Sequence, residues 1–84
     1  MGGVTEAAMI DAVIENGVVL KYLENPSEIV QFAAVIAHQY AIQFIANPSE
    51  EVQLVAVQNH KYAIKFIETP TDKVIRLHQL LWEL

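Results

Sequence analysis

The chain contains no cysteine, one arginine, three glycines, three prolines and few charges of either sign. The absence of cysteine excludes disulfides, a thiol nucleophile and thiolate metal ligands. Five basic side chains against ten acidic ones, with a net charge of −5, disfavour a phosphate-binding surface, because such a surface needs lysine and arginine. With 84 residues, 54% of them hydrophobic and 18% charged, the chain is predicted to be a single folded domain.

The sequence gives little support for export or for a membrane span. The first eight residues, MGGVTEAA, lack a positive segment, and Asp11 and Glu15 interrupt the apolar stretch that follows. The segment 29–49 has no charged residue, but its glutamines, His38 and Pro48 disfavour burial in lipid. We therefore expect no membrane association and a cytoplasmic location, in a bacterium or in a phage-infected host.

A 22-residue repeat organises nearly the whole chain. NPSEIVQFAAVIAHQYAIQFIA, from Asn25, matches NPSEEVQLVAVQNHKYAIKFIE, from Asn47, at 14 of 22 positions. Divergent copies precede and follow these two, which divides the chain into units of about 3–24, 25–46, 47–68 and 69–84, called units 1 to 4. Tandem units of this kind are typical of stacked structures in which each unit buries its apolar face against its neighbours.

Each unit begins with a pattern that predicts the start of a helix. Asn25, Asn47 and Thr69 are the predicted N-caps, because each precedes a proline and stands three residues before an acidic side chain. Gly3 opens unit 1 with a poor version of this pattern, so the first helix is expected to fray. In unit 2 the first helix is predicted over 26–37.

A turn and a second, shorter helix complete units 2 and 3. The shorter helices are predicted over 39–45 and 61–67, with Gln31 and Gln53 of the preceding helices on the solvent side. In unit 1 the turn is Asn16-Gly17, where glycine permits the left-handed conformation that ends many helices.

Unit 4 has no glycine or proline after Pro70 and is predicted to form one continuous helix. Its apolar residues fall on one stripe at helical spacing: Val74, Leu77, Leu81 and Leu84. Ile75 and Trp82 lie off this stripe, where they are expected to cover the end of the stack or to contact a second chain. We predict an all-α fold: a short right-handed solenoid of 22-residue helix-turn-helix repeats with a C-terminal capping helix, in one domain over 1–84.

Residues 4–68 resemble short bacterial and phage helix-pair repeats of unknown function. Those repeats have an EVVLAAV segment, a polar Asn-Gly turn and an ALKY-type segment. In unit 3 the resemblance lies in 51–57, 59–61 and 62–67, and Asn16-Gly17 preserves the turn better than His60-Lys61 does. The resemblance implies a helical repeat and makes a phage origin plausible, and it assigns no chemistry.

No residue pattern predicts catalysis, a metal or a cofactor. His38 and His60 occupy the same position in adjacent units, but neither has a carboxylate beside it, so a role in closing the turn is favoured over metal binding. Ser27 and Ser49 are accounted for by helix starts, and no glycine-rich loop precedes a helix. We expect a protein that is not an enzyme, with no cofactor and no metal.

Aromatic and acidic residues also recur once per unit. Tyr22, Phe44 and Phe66 are expected in the core, the alternative being a stacking platform for single-stranded nucleic acid. Tyr40 and Tyr62 are expected to place their hydroxyls at the surface. The acidic positions are explained by helix capping, the alternative being an imitation of a phosphate backbone: Glu6, Glu28, Glu50 and Asp72.

Two functions remain at this point. The first is a non-enzymatic protein-interaction module that grips another protein with its helical face. The second is a small phage-type inhibitor of a host defence or nucleic-acid-processing complex, acting by steric blocking or acidic mimicry. In both, we expect a homodimer, no direct contact with nucleic acid and no contact with a membrane. The candidate partner-binding residues are Glu28, Glu50, Gln31, Gln53, Tyr40, Tyr62 and Trp82.

Overall fold

The computed structural model describes residues 5–84, and these residues form helices without any strand. This confirms the all-α class for the described part of the chain. Within it, α-helices alternate with shorter 3₁₀ helices, in the order α1 Glu6–Glu15, η1 Gly17–Tyr22, α2 Glu28–Ala37, η2 Ala41–Phe44, α3 Glu50–Asn59, η3 Lys61–Phe66 and α4 Asp72–Trp82. The α-helices begin at intervals of 22 residues, as the repeat predicts.

The N-caps are hydroxyl residues, and the prediction of asparagine caps is wrong by two positions. In each cap the side-chain oxygen accepts a hydrogen bond from the amide three residues later, and the caps are Thr5, Ser27, Ser49 and Thr71. Asn25 has a φ of 48°, the left-handed conformation of a turn, whereas an N-cap needs extended backbone. Pro26 therefore lies just outside α2, and the cap predicted at Gly3 lies outside the described residues.

The second helix of each pair is a 3₁₀ helix and is shorter than predicted in unit 2. It covers Ala41–Phe44 there and Lys61–Phe66 in unit 3. Both segments end on a three-residue hydrogen bond, from the amide of Ile45 to Ile42 O and from that of Ile67 to Ile64 O, each at 3.1 Å. A 3₁₀ helix rises more per residue than an α-helix, so a short segment returns the chain to the start of the next unit.

Each α-helix packs against the next one in the chain, and neighbouring helices run in the same direction. At the N-terminal ends of α1 and α2, Ser27 Oγ donates to Glu6 Oε2 at 2.6 Å. At the C-terminal ends, His38 Nε2 lies 2.7 Å from Ile14 O. The two ends of adjacent helices are thus joined start to start and end to end. The result is elongated, with extents of 50 × 20 × 16 Å.

The core repeats with the sequence and lies between the α-helices and the 3₁₀ helices. Valines 22 residues apart are fully buried in two series, which are Val13, Val35 and Val57, and Val30, Val52 and Val74. Buried residues from the 3₁₀ segments pack against them, among them Leu20, Ala41, Ile42 and Ala63. Equivalent positions of successive units therefore do the same packing work.

Gly17 is required by space and not by a left-handed conformation. No described glycine has a positive φ, so the predicted reason for this residue is wrong. A Cβ at Gly17 would lie 3.1 Å from side-chain atoms of His38 and Tyr40 and 3.2 Å from the Cβ of Ala41. Glycine here lets η1 approach unit 2 closely.

The last unit is one continuous helix, as predicted. Val74 is fully buried, and Leu77 and Leu81 pack against the core, so three of the four residues on the predicted stripe face inward. The fourth, Leu84, is fully exposed because α4 ends at Trp82. Among the described helices, none has both the length and the apolar character that crossing a bilayer requires.

Candidate functional site

The recurring acidic residues connect consecutive units through the caps. Glu6 accepts from Ser27 Oγ at 2.6 Å, and Glu28 accepts from Ser49 Oγ at 2.7 Å. Glu50, the next in the series, lies 4.0 Å from Lys73 Nζ in a partly exposed ion pair, which contributes little. A structural role thus accounts for part of this series, because each bridging serine caps its own helix and bonds to the preceding unit.

Gln31 and Gln53 are part of the packing, and the prediction that they lie on the solvent side is wrong. Gln31 Nε2 donates to Pro26 O at 2.9 Å, and Gln53 Nε2 donates to Pro48 O at 3.1 Å. Gln53 Oε1 also accepts from the amide of Thr71 at 3.2 Å, and Gln53 is 5% exposed. Both amide ends of Gln53 are used inside the protein, so this residue contributes no contact surface.

The two equivalent histidines close the C-terminal end of the preceding α-helix. His38 Nε2 lies 2.7 Å from Ile14 O, and His60 Nε2 lies 2.8 Å from Ile36 O. The predicted hydrogen bond at the turn is present, but it reaches the neighbouring unit. In residues 5–84 no group of three or more histidine or carboxylate side chains is placed to hold a metal ion.

The aromatic residues divide between packing and surface. The hydroxyl of Tyr40 is not free at the surface, since it accepts from the amide of Gly17 at 3.2 Å. Tyr22 is 76% exposed, so the prediction that it lies in the core is wrong, because no earlier unit is described beyond η1 to cover it. Phe44 and Phe66 pack partly against the core, as predicted.

Trp82 covers the end of unit 3, one of the two positions predicted for it. Its ring lies edge-on to Tyr62 with centroids 5.3 Å apart, and Lys61 Nζ lies 4.2 Å from its centroid. Its indole N–H donates to His78 Nε2 at 2.5 Å. Tyr62 and Trp82 both keep about half of their surface exposed.

Two shallow clefts lie at equivalent places between consecutive units. Each has a volume of about 380 Å³, and their linings correspond residue by residue at a spacing of 22. Gln31 lines one and Gln53 lines the other. Their recurrence makes them a product of the stacking and not a specialised site.

The largest unexplained feature is an exposed apolar stripe on the side of α1 and α2 that is turned away from the core. Ile14 is 48% exposed, Ile29 58% and Ile36 49%. Ile10 and Phe32 lie between them and are half-buried. Residues 29, 32 and 36 share one helix face, and 10 and 14 are the equivalents of 32 and 36 in unit 1. These five residues are called the apolar stripe below.

The equivalent face of α3 and α4 is polar. Where unit 2 has Ile29 and Ile36, unit 3 has Glu51 and Gln58. Unit 4 has Lys73 and Leu80 at the same places. The apolar stripe therefore ends at the boundary between units 2 and 3, although the helices continue.

Acidic side chains border the apolar stripe. The helices α1, α2 and α3 contain no lysine or arginine, and they contain six acidic residues: Glu6, Asp11, Glu15, Glu28, Glu50 and Glu51. Asp11 and Glu15 lie exposed on α1, and Glu51 lies exposed on α3. The apolar face of α2 thus has exposed carboxylates on both neighbouring helices.

Burial, and not a motif, reveals this surface. The sequence predicts α2 to be enclosed by its neighbours because it is apolar around most of its circumference, and this is wrong for the face that carries Ile29 and Ile36. A comparison of units 2 and 3 contains the signal, since the two isoleucines are replaced by polar residues. No family model, curated protein or solved structure matches the chain.

Proposed function

We propose that this chain is a non-enzymatic protein-interaction module that binds a partner protein through the apolar stripe of α1 and α2. The observation that carries the proposal is the difference between units 2 and 3. They are identical at 14 of 22 positions, and none of the eight positions that differ is buried in either unit. The packing requirements of the two units are therefore the same, while their surfaces differ.

The fold does not need isoleucine at the exposed positions of the apolar stripe. Unit 3 builds the same α-helix with Glu51 and Gln58 at those places. An exposed isoleucine loses solubility without gaining burial, and a contiguous apolar patch bordered by polar residues is typical of an interaction site. Binding to another protein is the role that explains why unit 2 keeps Ile29 and Ile36.

The surface belongs to what we propose is a short solenoid of the helix-pair type that the sequence resembles. The recurrence of caps, buried valines and clefts every 22 residues supports this architecture. A solenoid presents an extended face to a partner, and different units can be specialised without changing the fold.

The inhibitor that mimics nucleic acid is the second candidate. The six carboxylates of α1, α2 and α3, without a cation among them, favour it. Against it, Glu6 and Glu28 accept hydrogen bonds from serines of the next unit, which explains their positions without a partner. We therefore place acidic mimicry second.

Affinity capture from a lysate of the source cell, followed by mass spectrometry, tests the proposal with three baits. The wild-type chain is compared with I29E/I36Q, which gives unit 2 the residues of unit 3. The control Q43K/A46E makes the same kind of exchange at exposed positions outside the apolar stripe. A partner kept by the control and lost with I29E/I36Q supports the module. Identical partners on all three baits would overturn it.

Salt and charge separate the two candidates. Apolar docking should persist as ionic strength rises, whereas mimicry should weaken, because exposed charges are screened. The bait E28Q/E50Q keeps acceptor oxygens near the caps and removes two charges, so it should weaken mimicry alone. Sedimentation of the wild-type chain at tens of micromolar tests the predicted homodimer, for which the exposed Trp82 end remains the candidate contact.

A further inference from the structure

We propose that the partner segment bound by the apolar stripe is an amphipathic α-helix with lysine or arginine on both flanks. This inference rests on the proposed function and specifies the chemistry of the partner at the same site. It is argued from the width of the apolar surface, the placement of carboxylates beside it and the absence of cations on α1, α2 and α3.

The dimensions of the surface fit a single helix. Ile29 and Ile36 are two turns apart, about 10 Å along the axis of α2. Packed helices lie about 8–10 Å apart, so the carboxylates of α1 and α3 stand one helix spacing to either side of the apolar face of α2. A helix with its side chains is about 10–12 Å wide, so one helix lying along α2 brings its flanks above those carboxylates.

The charges specify the flanks of that helix. On one side stand Asp11 and Glu15, and on the other side stands Glu51, all exposed. The segment 29–49 between them has no charged residue at all. An apolar partner ridge with basic flanks satisfies both features, whereas acidic flanks would face carboxylates on both sides. Like charges across an interface are strongly unfavourable and reject wrong partners.

The same charges disfavour a second copy of this chain as the occupant. Self-pairing of α1, α2 and α3 would place acidic borders against acidic borders. The exposed cations of α4, Lys73 and Arg76, lie two units away from Ile29 and not beside the apolar stripe. A different protein that supplies the basic flanks is the better match.

Synthetic peptides test this chemistry directly. The probe is a labelled helix of about five turns, with leucine along one face and lysine on both flanks. Its partner control has the same leucines with glutamate on the flanks. Fluorescence anisotropy against the full chain measures both peptides at physiological ionic strength. The lysine peptide should bind the wild-type chain and the Q43K/A46E variant equally, and I29E/I36Q should weaken it by about tenfold or more, as expected when interface anchors are removed.

The I29E/I36Q variant also separates recognition from simple charge attraction, because it adds a negative charge while removing the apolar contacts. Equal or tighter binding of the lysine peptide to this variant would overturn the proposal, as would equal binding of the glutamate peptide to the wild-type chain. No binding of the lysine peptide would overturn the cationic helix, while a captured partner that depends on Ile29 and Ile36 would still support the interaction module. Self-association that I29E/I36Q abolishes would assign the apolar stripe to a second copy and overturn the proposal.

Discussion

Units 2 and 3 are two solutions to one packing problem with different surfaces. Both bury the same valines and alanines, and both bond a histidine back to the preceding helix. At the eight positions that differ, unit 2 has no charge, whereas unit 3 has Glu51, Lys61, Lys65 and Glu68. The difference shows that the core of a unit and its outward face are set independently, which lets one unit take a binding role while its neighbour stays polar.

The largest effect should come from placing the same side chain on the two sides of α2. Val35→Asn should destabilise the protein by about 3 kcal/mol or more, since it loses apolar burial and leaves a buried amide unsatisfied. Ile36→Asn, one residue later, should cost less than about 1 kcal/mol, chiefly through helix propensity. Urea unfolding followed by circular dichroism measures both. Equal losses would show that the exposed side of α2 is part of the core.

Much of this division could be predicted from the sequence, because the repeat itself is visible there. The helix starts are placed within two residues, and the continuous helix of unit 4 follows from its spacing and its lack of glycine. These features depend on local patterns, namely a cap before a proline-acid pair and apolar residues three or four apart. For such features the neighbouring units do not have to be known.

The features that the sequence analysis missed depend on where neighbours lie. Gln53 is polar but buried, because Pro48 O and the Thr71 amide satisfy it from both sides. Tyr22 is aromatic but exposed, because its place in the stack leaves it uncovered. The apolar stripe was missed for the same reason, since a helix that is apolar on most sides does not reveal which side lacks a neighbour.

The serine that joins two units should produce the next largest effect. Ser49→Ala removes both the cap on the Val52 amide and the bond to Glu28, and it should cost about 1–2 kcal/mol. Glu28→Gln keeps an acceptor for the serine and should cost less than Ser49→Ala. Urea unfolding of the two variants separates the cap from the connection between units. A larger loss with Glu28→Gln would show that the charge, and not the cap, dominates.

The histidine column should follow. His60→Ala removes the bond to Ile36 O, and it should cost about 1 kcal/mol, the usual net value of such a bond. Asn16, the equivalent residue in unit 1, bonds only to the Val18 amide in its own unit. Asn16→Ala should therefore loosen η1 alone, whereas His60→Ala should also raise the hydrogen exchange of amides at the end of α2. Identical exchange patterns in the two variants would contradict a connection between units.

The smallest stability effect should come from the exchange that matters most for binding. I29E/I36Q copies residues that unit 3 already uses, and the new glutamate lies in the first turn of α2, where the helix dipole favours it. The free energy of unfolding should stay within about 0.5 kcal/mol of the wild-type value, as is usual for surface changes. The reciprocal variant E51I/Q58I should be equally neutral and should extend the apolar surface onto α3, so it should bind the lysine peptide more tightly. A loss above about 2 kcal/mol in I29E/I36Q, comparable to that of a core substitution, would mean that the isoleucines of unit 2 support the fold, and their exposure would then no longer indicate a partner.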